Sequence, residues 1–459
     1  MLGSAFTFLE DWATTRLSER DLARRMRNWR KVAFLTPTEV TQLANRRLAN
    51  IVQHAFETVP FWRKNFQLAG IHPHRVHSIQ DLANLQPIDR STIQTSRDDM
   101  VSTALEPTEL VPARTGGSST VPLSFLRDSE TIQERRALQA LFSEWAGQDL
   151  RDRSALVWGA SFDITGHGSW RSTLRDRWID RRVTLSSNQL DPSSIDEFLV
   201  RLQRFNARVL HGYAHAIWRI ACHIADRRYR PVGLVGITVT AEPLSSLQRK
   251  TIEDAFHVPV FNHYGAREIG MVAAECSRHR GLHVALPSVY CEILRRDGTA
   301  AEPGELGEII VTDLFNRAMP FLRYRIGDLG AWAEDACDCG VGFPLLRIES
   351  GKTTHYLVVK GDRLISGNAL VLSYGGDGFE GLYLRQEELD SIEVLYLPSP
   401  NFAPESLKRV RDHLVATIGP EVRLKWRKVD RAPLAPSGKV QLCYSTLYEE
   451  RLASTRVWK

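Results

Sequence analysis

The sequence predicts an α/β fold: a large N-terminal domain of mixed sheets flanked by helices over residues 1–350, and a small α+β C-terminal domain over 351–459. Three observations carry this prediction. From residue 111 onward, short β-prone runs alternate with segments of helical period, the signature of an α/β sheet. After about residue 350 the pattern shortens to strand, helix, strand. The lysines shift at the same boundary: Lys31, Lys64 and Lys250 are the only ones in the first 350 residues, and seven of the ten lie in the last 109.

Residues 1–100 read as a helical lead-in. LANRRLANIVQHAFETVPFWRKNF carries apolar residues at helical spacing and is punctuated near Pro60. SIQDLANLQPIDRSTIQ reads as a short helix, a proline-marked turn and a second helix start. VPARTGGSSTVPLSFL then places a Gly/Ser/Thr cluster between two β-prone flanks, and SETIQERRALQALFSEWAG is helical. SALVWGAS reads as a buried strand, SSIDEFLVRLQRF as a helix and ARVLHGY as a strand running into a loop. PVGLVGITVTAEPL, VPVFNHYG and GEIIVTDL are further strands, separated by helical segments such as SSLQRKTIEDAF, so the sheets are expected to be largely parallel. In the tail, SIEVLYLPSP, ESLKRVRDHLVATIG and EVRLKWRKVD supply strand, helix and strand.

Composition excludes several classes. With 43% hydrophobic and 25% charged residues, the chain can bury a large core and is neither disordered nor fibrous. The net charge of +5 gives no support for nucleic-acid or membrane-surface binding. Six cysteines in 459 residues make no disulfide scaffold. The N-terminus lacks a basic region before its apolar stretch, and no run approaches the roughly 18 apolar residues of a membrane span. A cytoplasmic monomer or homodimer is expected, with no nucleic-acid or membrane partner.

Four short motifs have chemistry to offer. Thr115-Gly116-Gly117-Ser118-Ser119-Thr120 could converge backbone N–H groups and hydroxyls on a phosphate, although no Walker lysine follows. In His263-Tyr264-Gly265-Ala266-Arg267-Glu268 a tyrosine can stack on a base and a carboxylate can hold Mg²⁺. In Arg323-Tyr324-Arg325-Ile326-Gly327-Asp328 a carboxylate after a glycine turn can accept from ribose hydroxyls. Leu434-Ala435-Pro436-Ser437-Gly438-Lys439 displays a point cation suited to developing phosphate charge. Taken singly, each has a plainer reading: a polar turn, a structural strand end, a salt-bridged turn, a solvated lysine. Cys276, His279, His283, Cys337 and Cys339 offer thiolates and imidazoles that suit tetrahedral Zn²⁺, with buried free thiols as the plainer reading.

In order and spacing, TGGSST, HGYAHAI, TAEPL, HYGARE, RYRIGD and the final SGK resemble the adenylate-forming superfamily, and within it the phenylacetate–CoA ligase and CapK-like branch. The helical lead-in and the C-terminal IGPEVRLKWRKVDRAPLAPSGKVQ extend the resemblance over most of the chain. It implies an enzyme that converts a carboxylic acid and ATP to an acyl-adenylate and pyrophosphate, then passes the acyl group to a thiol such as CoA. A carrier-protein or amine acceptor in a biosynthetic pathway, or a nucleotide-binding protein without turnover, are the alternatives. On matching positions, Thr115, Gly116, Gly117, Ser118, Ser119 and Thr120 would cradle the β- and γ-phosphates. Ala241, Glu242 and Pro243 would line the adenine pocket, with His263, Tyr264 and Gly265 beside it. Glu268 would coordinate Mg²⁺, Asp328 would hold the ribose with Arg347 in the same region, and Lys439 would touch the carboxylate and α-phosphate. His211, Gly212 and Tyr213 would form the acyl-pocket wall. The small domain would rotate about a hinge at Ser350–Thr354, including Lys352 and Thr354.

The sequence departs from the family pattern at three places. The phosphate loop has Val121 where a lysine is usual. Arg267 replaces a Ser/Thr, and would either pair with the α-phosphate or close the site. The hinge reads Gly351-Lys352-Thr353-Thr354-His355 and lacks the usual acid, so adenylation keeps its residues better than CoA transfer does. The branch also carries a similar Cys/His pattern, which favours a structural Zn²⁺ on Cys276, His283, Cys337 and Cys339, with His279 as substitute.

Overall fold

Prolines set the helix starts of the lead-in. The first helix, α1, covers residues 19–33. The second, α2 (Pro37–Thr58), opens with Pro37 in its first turn and a capping box in which Thr36 and Glu39 satisfy each other's backbone N–H groups. It stops at Thr58 because Pro60 starts α3 (Pro60–Leu68). The short α4 (Arg90–Thr95) is capped by Asp89. The computed structural model describes residues 19–114, 123–158, 181–187, 190, 192–227, 233–242, 244–350, 356–360, 363–366, 370–371, 378–399, 402–433, 441–448 and 450.

A hairpin of β1 (Val111–Arg114) and β2 (Ser124–Arg127) brackets the Thr115–Thr120 loop, which lies outside the described residues. Helix α5 (Ser129–Trp145) follows, its first turn capped by Asp128. Strand–helix alternation then runs as predicted: β3 (Ser154–Trp158), β4 (Arg182–Ser186), α6 (Pro192–Phe205), β5 (Val209–Tyr213), α7 (Ala214–Arg227), β6 (Gly236–Thr240), α8 (Ser246–Phe256) and β7 (Val260–Ala266). Beyond β7 the alternation ends. β8 (Gly270–Glu275), β9 (Leu282–Val284), β10 (Val289–Leu294), β11 (Gly307–Asp313), β12 (Tyr324–Trp332) and β13 (Leu345–Ser350) follow one another without an intervening α-helix among the described residues.

All these strands after the hairpin join one sheet in the order β10-β11-β12-β13-β9-β8-β7-β6-β5-β3-β4. The β4-to-β7 side is parallel; from β7 to β10 every pair is antiparallel. The sheet is therefore mixed, and the expectation of largely parallel pairing holds for one half only. Where helices stop intervening, short turns can join only antiparallel neighbours.

Two cores flank this sheet. One packs α6, α7 and α8 against the parallel strands. The other packs α1–α3 and α5 against the antiparallel strands, with Trp62 fully buried and donating its indole N–H to Pro320 O at 2.9 Å. A third core belongs to the tail. There, β14 (Tyr356–Val359) pairs with β15 (Arg363–Ser366). β16 (Phe379–Glu388), β17 (Ser391–Pro398), β18 (Arg423–Lys428) and β19 (Cys443–Ser445) form a sheet ordered β18-β17-β16-β19, with α9 (Pro404–Ile418) packed in its core. Arg219 on α7 and Glu380 on β16 form an ion pair of 2.8 Å, beside a crevice lined by Trp218, Leu247, Phe379 and Leu382.

Candidate functional site

In open α/β sheets ligands collect at the carboxyl ends of parallel strands. Here the ends of β5, β6 and β7 bring together Tyr213, Ala241-Glu242 and Tyr264-Gly265. Ala241 is held in the left-handed region at φ 68°, a strain that a non-glycine residue keeps only where its surroundings fix it. Glu242 accepts the backbone N–H of His215 at 2.9 Å, which satisfies an otherwise open donor in the first turn of α7. Pro243 lies outside the described residues.

Asp328 arrives from the antiparallel half. It lies inside β12, not in the turn that its sequence suggested. Between the pairs Glu308↔Leu329 and Ile310↔Arg325 the strand bulges, and Gly327 sits at φ 84°, where a side chain would be strained. The bulge leaves Gly327 exposed and buries Asp328. Asp328 Oδ2 accepts the Tyr264 hydroxyl at 2.6 Å. Burial first, and the Asp328 charge second, push the Tyr264 phenol well above its usual range, so it stays a donor.

Arg267, Glu268 and Ile269 form the turn joining β7 to β8. Glu268 is buried; its Oε1 accepts from Tyr324 at 3.2 Å and lies 3.7 Å from Arg90 Nη1. Its backbone carbonyl accepts from Arg135 Nη2 at 2.8 Å. One buried carboxylate with a hydroxyl beside it suits Mg²⁺, which commonly takes one or two protein carboxylates and completes its shell from phosphates and water.

The remaining candidates divide. His211 lies on β5, opposite Thr238, and its ring reaches Thr238 Oγ1 and, at 2.8 Å, Gln148 Oε1. Burial pushes its pKa down to about 4, so the ring is neutral. His263 alternates with Tyr264 along β7 and therefore faces the other side, against Phe142; burial pushes its pKa down to about 3. It is a core residue of the sheet, and grouping it with Tyr264 as a nucleotide contact overlooked that alternation. Gly212 packs against Val157, and the Tyr213 ring lies tilted against Trp158 with ring centroids 4.5 Å apart. Arg347 is exposed on β13 opposite Ala331, three positions along β12 from Asp328. Lys352, Thr354 and Lys439 lie outside the described residues. Arg90, Tyr324, Gln148 and Thr238 were missed; only Tyr324 had a signal, inside the RYRIGD motif.

The Cys/His constellation converges. The Sγ atoms of Cys276, Cys337 and Cys339 and a ring nitrogen of His283 all lie within 4.8 Å of one another. Cys276 follows β8, His283 sits on β9, and Cys337 and Cys339 occupy the β12–β13 loop. Cys276 Sγ and Cys337 Sγ are 3.7 Å apart; Cys339 Sγ and His283 Nε2 are 3.3 Å apart. Tetrahedral zinc with Zn–S near 2.3 Å and Zn–N near 2.05 Å requires about 3.8 and about 3.6 Å. His283 Nδ1 donates to Phe343 O at 2.9 Å, which leaves the Nε2 lone pair aimed at the thiols. Backbone N–H groups of Arg278 and Val341 point at Cys276 and Cys339 sulfurs. His279 instead lies 3.2 Å from Glu275 and 3.3 Å from Arg249. The donor set fits a closed, four-ligand zinc centre.

No family model matches the chain. It is similar to protein CapK of Staphylococcus aureus, 21% identical over 421 residues that cover 89% of this chain and 90% of that protein. It is similar to the phenylacetate–coenzyme A ligase of Escherichia coli K12, 26% identical over 339 residues, 70% of this chain and 73% of the ligase. Its fold matches 2-hydroxyisobutyryl-CoA ligase in the postadenylation state in complex with R3-HIB-AMP, at a TM-score of 0.72 and 18% identity over 93% of this chain and 94% of that one. The same ligase in its thioesterification state matches at 0.60. Sequence relatives and fold neighbours point the same way: the chain is similar to CapK and to phenylacetate–CoA ligases, and it shares the fold of acyl-CoA ligases.

Proposed function

We propose that this chain is an AMP-forming acid–thiol ligase: it converts a small carboxylic acid and ATP to an acyl-adenylate and pyrophosphate, then transfers the acyl group to CoA. The observation that carries this reading is the meeting of Tyr264, Glu268 and Asp328 from the two halves of the sheet at the ends of β5–β7. The relatives named as phenylacetate–CoA ligases support the acid and the acceptor.

In this reading Asp328, oriented by Tyr264, accepts the ribose hydroxyls. Ala241 and Glu242 border the adenine, and Glu268 holds Mg²⁺, which neutralises phosphate charge when bound. The 115–120 loop cradles the outer phosphates and His211–Tyr213 border the acyl group. Lys439 approaches the α-phosphate and the acid, where its charge matters most as the phosphorus is attacked. Cys276, His283, Cys337 and Cys339 hold a structural zinc. Residues 1–350 act as the fixed unit and 351–459 as the unit that rotates at Lys352–Thr354. The better match to the postadenylation arrangement supports an adenylation-side pose here. The missing hinge acid favours one second reading, transfer to a carrier-protein thiol or an amine.

The test is pyrophosphate release with Mg-ATP, hydroxylamine and a panel of small acids. Turnover with at least one acid, cut about a hundredfold or more in Lys439→Ala with an unchanged melting curve, is expected. Wild-type rates in that variant would remove Lys439 from its role; ATP binding with no turnover on any acid would favour a non-catalytic protein.

A further inference from the structure

Arg127 closes β2 and is only partly exposed. Its Nε is shut off from water and has no hydrogen-bond partner among the described residues. A guanidinium has five donors to satisfy and stays protonated, so burying one without an acceptor is costly. The carboxylates nearby in the fold are committed elsewhere. Asp128, the next residue, accepts from Thr131 N at Oδ1 (2.7 Å) and from Thr131 Oγ1 (3.0 Å) and Arg317 N (2.8 Å) at Oδ2. Asp313 pairs with Arg135 and accepts the Phe315 N–H at 3.0 Å. Glu268 faces Tyr324 and Arg90.

The charges that do press on Arg127 have its own sign. Burial, then Arg135, then Arg267 all disfavour its cation. Arg135 cannot swing away. Its Nη2 is held by Glu268 O and Asp313, and its stem lies over Gly270, where a Cβ would stand 2.8 Å from Arg135 Cδ. Arg127, at the end of the β1–β2 hairpin, thus lies within electrostatic reach of Arg135 on α5 and of Arg267 in the β7–β8 turn. Lysine is scarce in the large unit: it has three, and Lys250 is paired with Asp254 at 2.7 Å on α8.

We infer that Arg127, with Arg267, binds the β- and γ-phosphates of ATP and the departing pyrophosphate, supplying the cation that the phosphate loop lacks at Val121. A polyphosphate brings the charge and acceptor oxygens that Arg127 lacks, and arginine suits phosphate through paired N–H donors. The inference rests on the adenylation reading. It adds that the nucleotide would supply the acceptor that Arg127 Nε lacks among the described residues.

The test uses the full chain as wild type, Arg127→Met and Arg127→Lys. Calorimetric titration is run with AMP, inorganic pyrophosphate and Mg-α,β-methylene-ATP, alongside melting of the ligand-free proteins. Arg127→Met should weaken pyrophosphate and the ATP analogue about tenfold or more while AMP stays within about twofold. Arg127→Lys should fall between. Ligand-free Arg127→Met should melt at or above the wild-type temperature, because the substitution removes a buried N–H that has no acceptor among the described residues. Unchanged affinity for the ATP analogue, equal loss of AMP, or a lower melting temperature would each overturn the inference while leaving adenylation intact. A wild type that binds none of the three probes would overturn both.

Discussion

Replacing Arg323 with methionine should unfasten the helical lead-in from the sheet. Arg323 is 3% exposed and sits at φ 49°, just before β12. Its Nε and Nη2 meet both oxygens of Glu292 at 3.1 and 2.9 Å. Its Nη1 donates to Leu82 O, Ala83 O and Leu85 O at 2.9, 2.9 and 2.7 Å. Methionine fills the volume but removes all five bonds and leaves Glu292 buried without its cation. Breaking a buried pair from one side costs about 3–5 kcal/mol. For a cooperative unit of about 330 residues, an unfolding entropy near 2.1 cal/mol/K per residue gives roughly 0.7 kcal/mol/K, so the melting temperature should drop by about 6 °C. Burial already raises the Glu292 pKa while Arg323 lowers it. Without Arg323 the folded-state pKa rises further above the unfolded value, so folding takes up protons and the penalty shrinks at low pH. The deficit should therefore be larger at pH 8 than at pH 5. Adding Glu292→Gln should recover a large part of it at pH 8. Calorimetry checks the melting temperature. A drop below about 1.5 °C, a deficit that does not change with pH, or no recovery in the double variant would refute the reasoning.

Protein prepared without chelators should contain about one zinc per chain. Cys339→Ser should lose the metal and melt lower; a metal-free wild type by elemental analysis would remove the centre. Tyr264→Phe deletes the 2.6 Å donor to Asp328. A charge-assisted bond is worth about 1.5–3 kcal/mol, so AMP should bind about tenfold more weakly and the protein melt a few degrees lower. Unchanged values for both would mean that the hydroxyl does not position the carboxylate.

The sequence showed elements and chemistry better than it showed partners. Strand–helix alternation up to β7 was legible because each element has its own period. The antiparallel half was not, because alternating strands look alike whichever neighbour they pair with. The metal ligands were legible as Cys and His at short spacings. His283 rather than His279 was the expected ligand from the family resemblance, and the turn at His279, whose φ is 50°, carries its ring to Glu275 and Arg249. RYRIGD was legible as a motif, but its parts act separately. Arg323 anchors the lead-in, Tyr324 reaches Glu268, Arg325 pairs with Glu308, and a bulge buries Asp328. Arg127 carried no signal, since its situation depends on which carboxylates other chain segments have already engaged.

β13 is clasped on one side by β12, which carries Asp328, and on the other by β9, which carries His283. The Cys337–Cys339 loop leads into its start, and its end, Ser350, opens onto the proposed hinge. It is thus a shaft seated between two bearings, with the proposed metal centre at its foot. A load applied by a turning tail, as proposed, would be taken up by a large sheet. Swivelling would then be confined to the few residues after 350, and Asp328 one strand away, the proposed ribose ligand, would keep its aim.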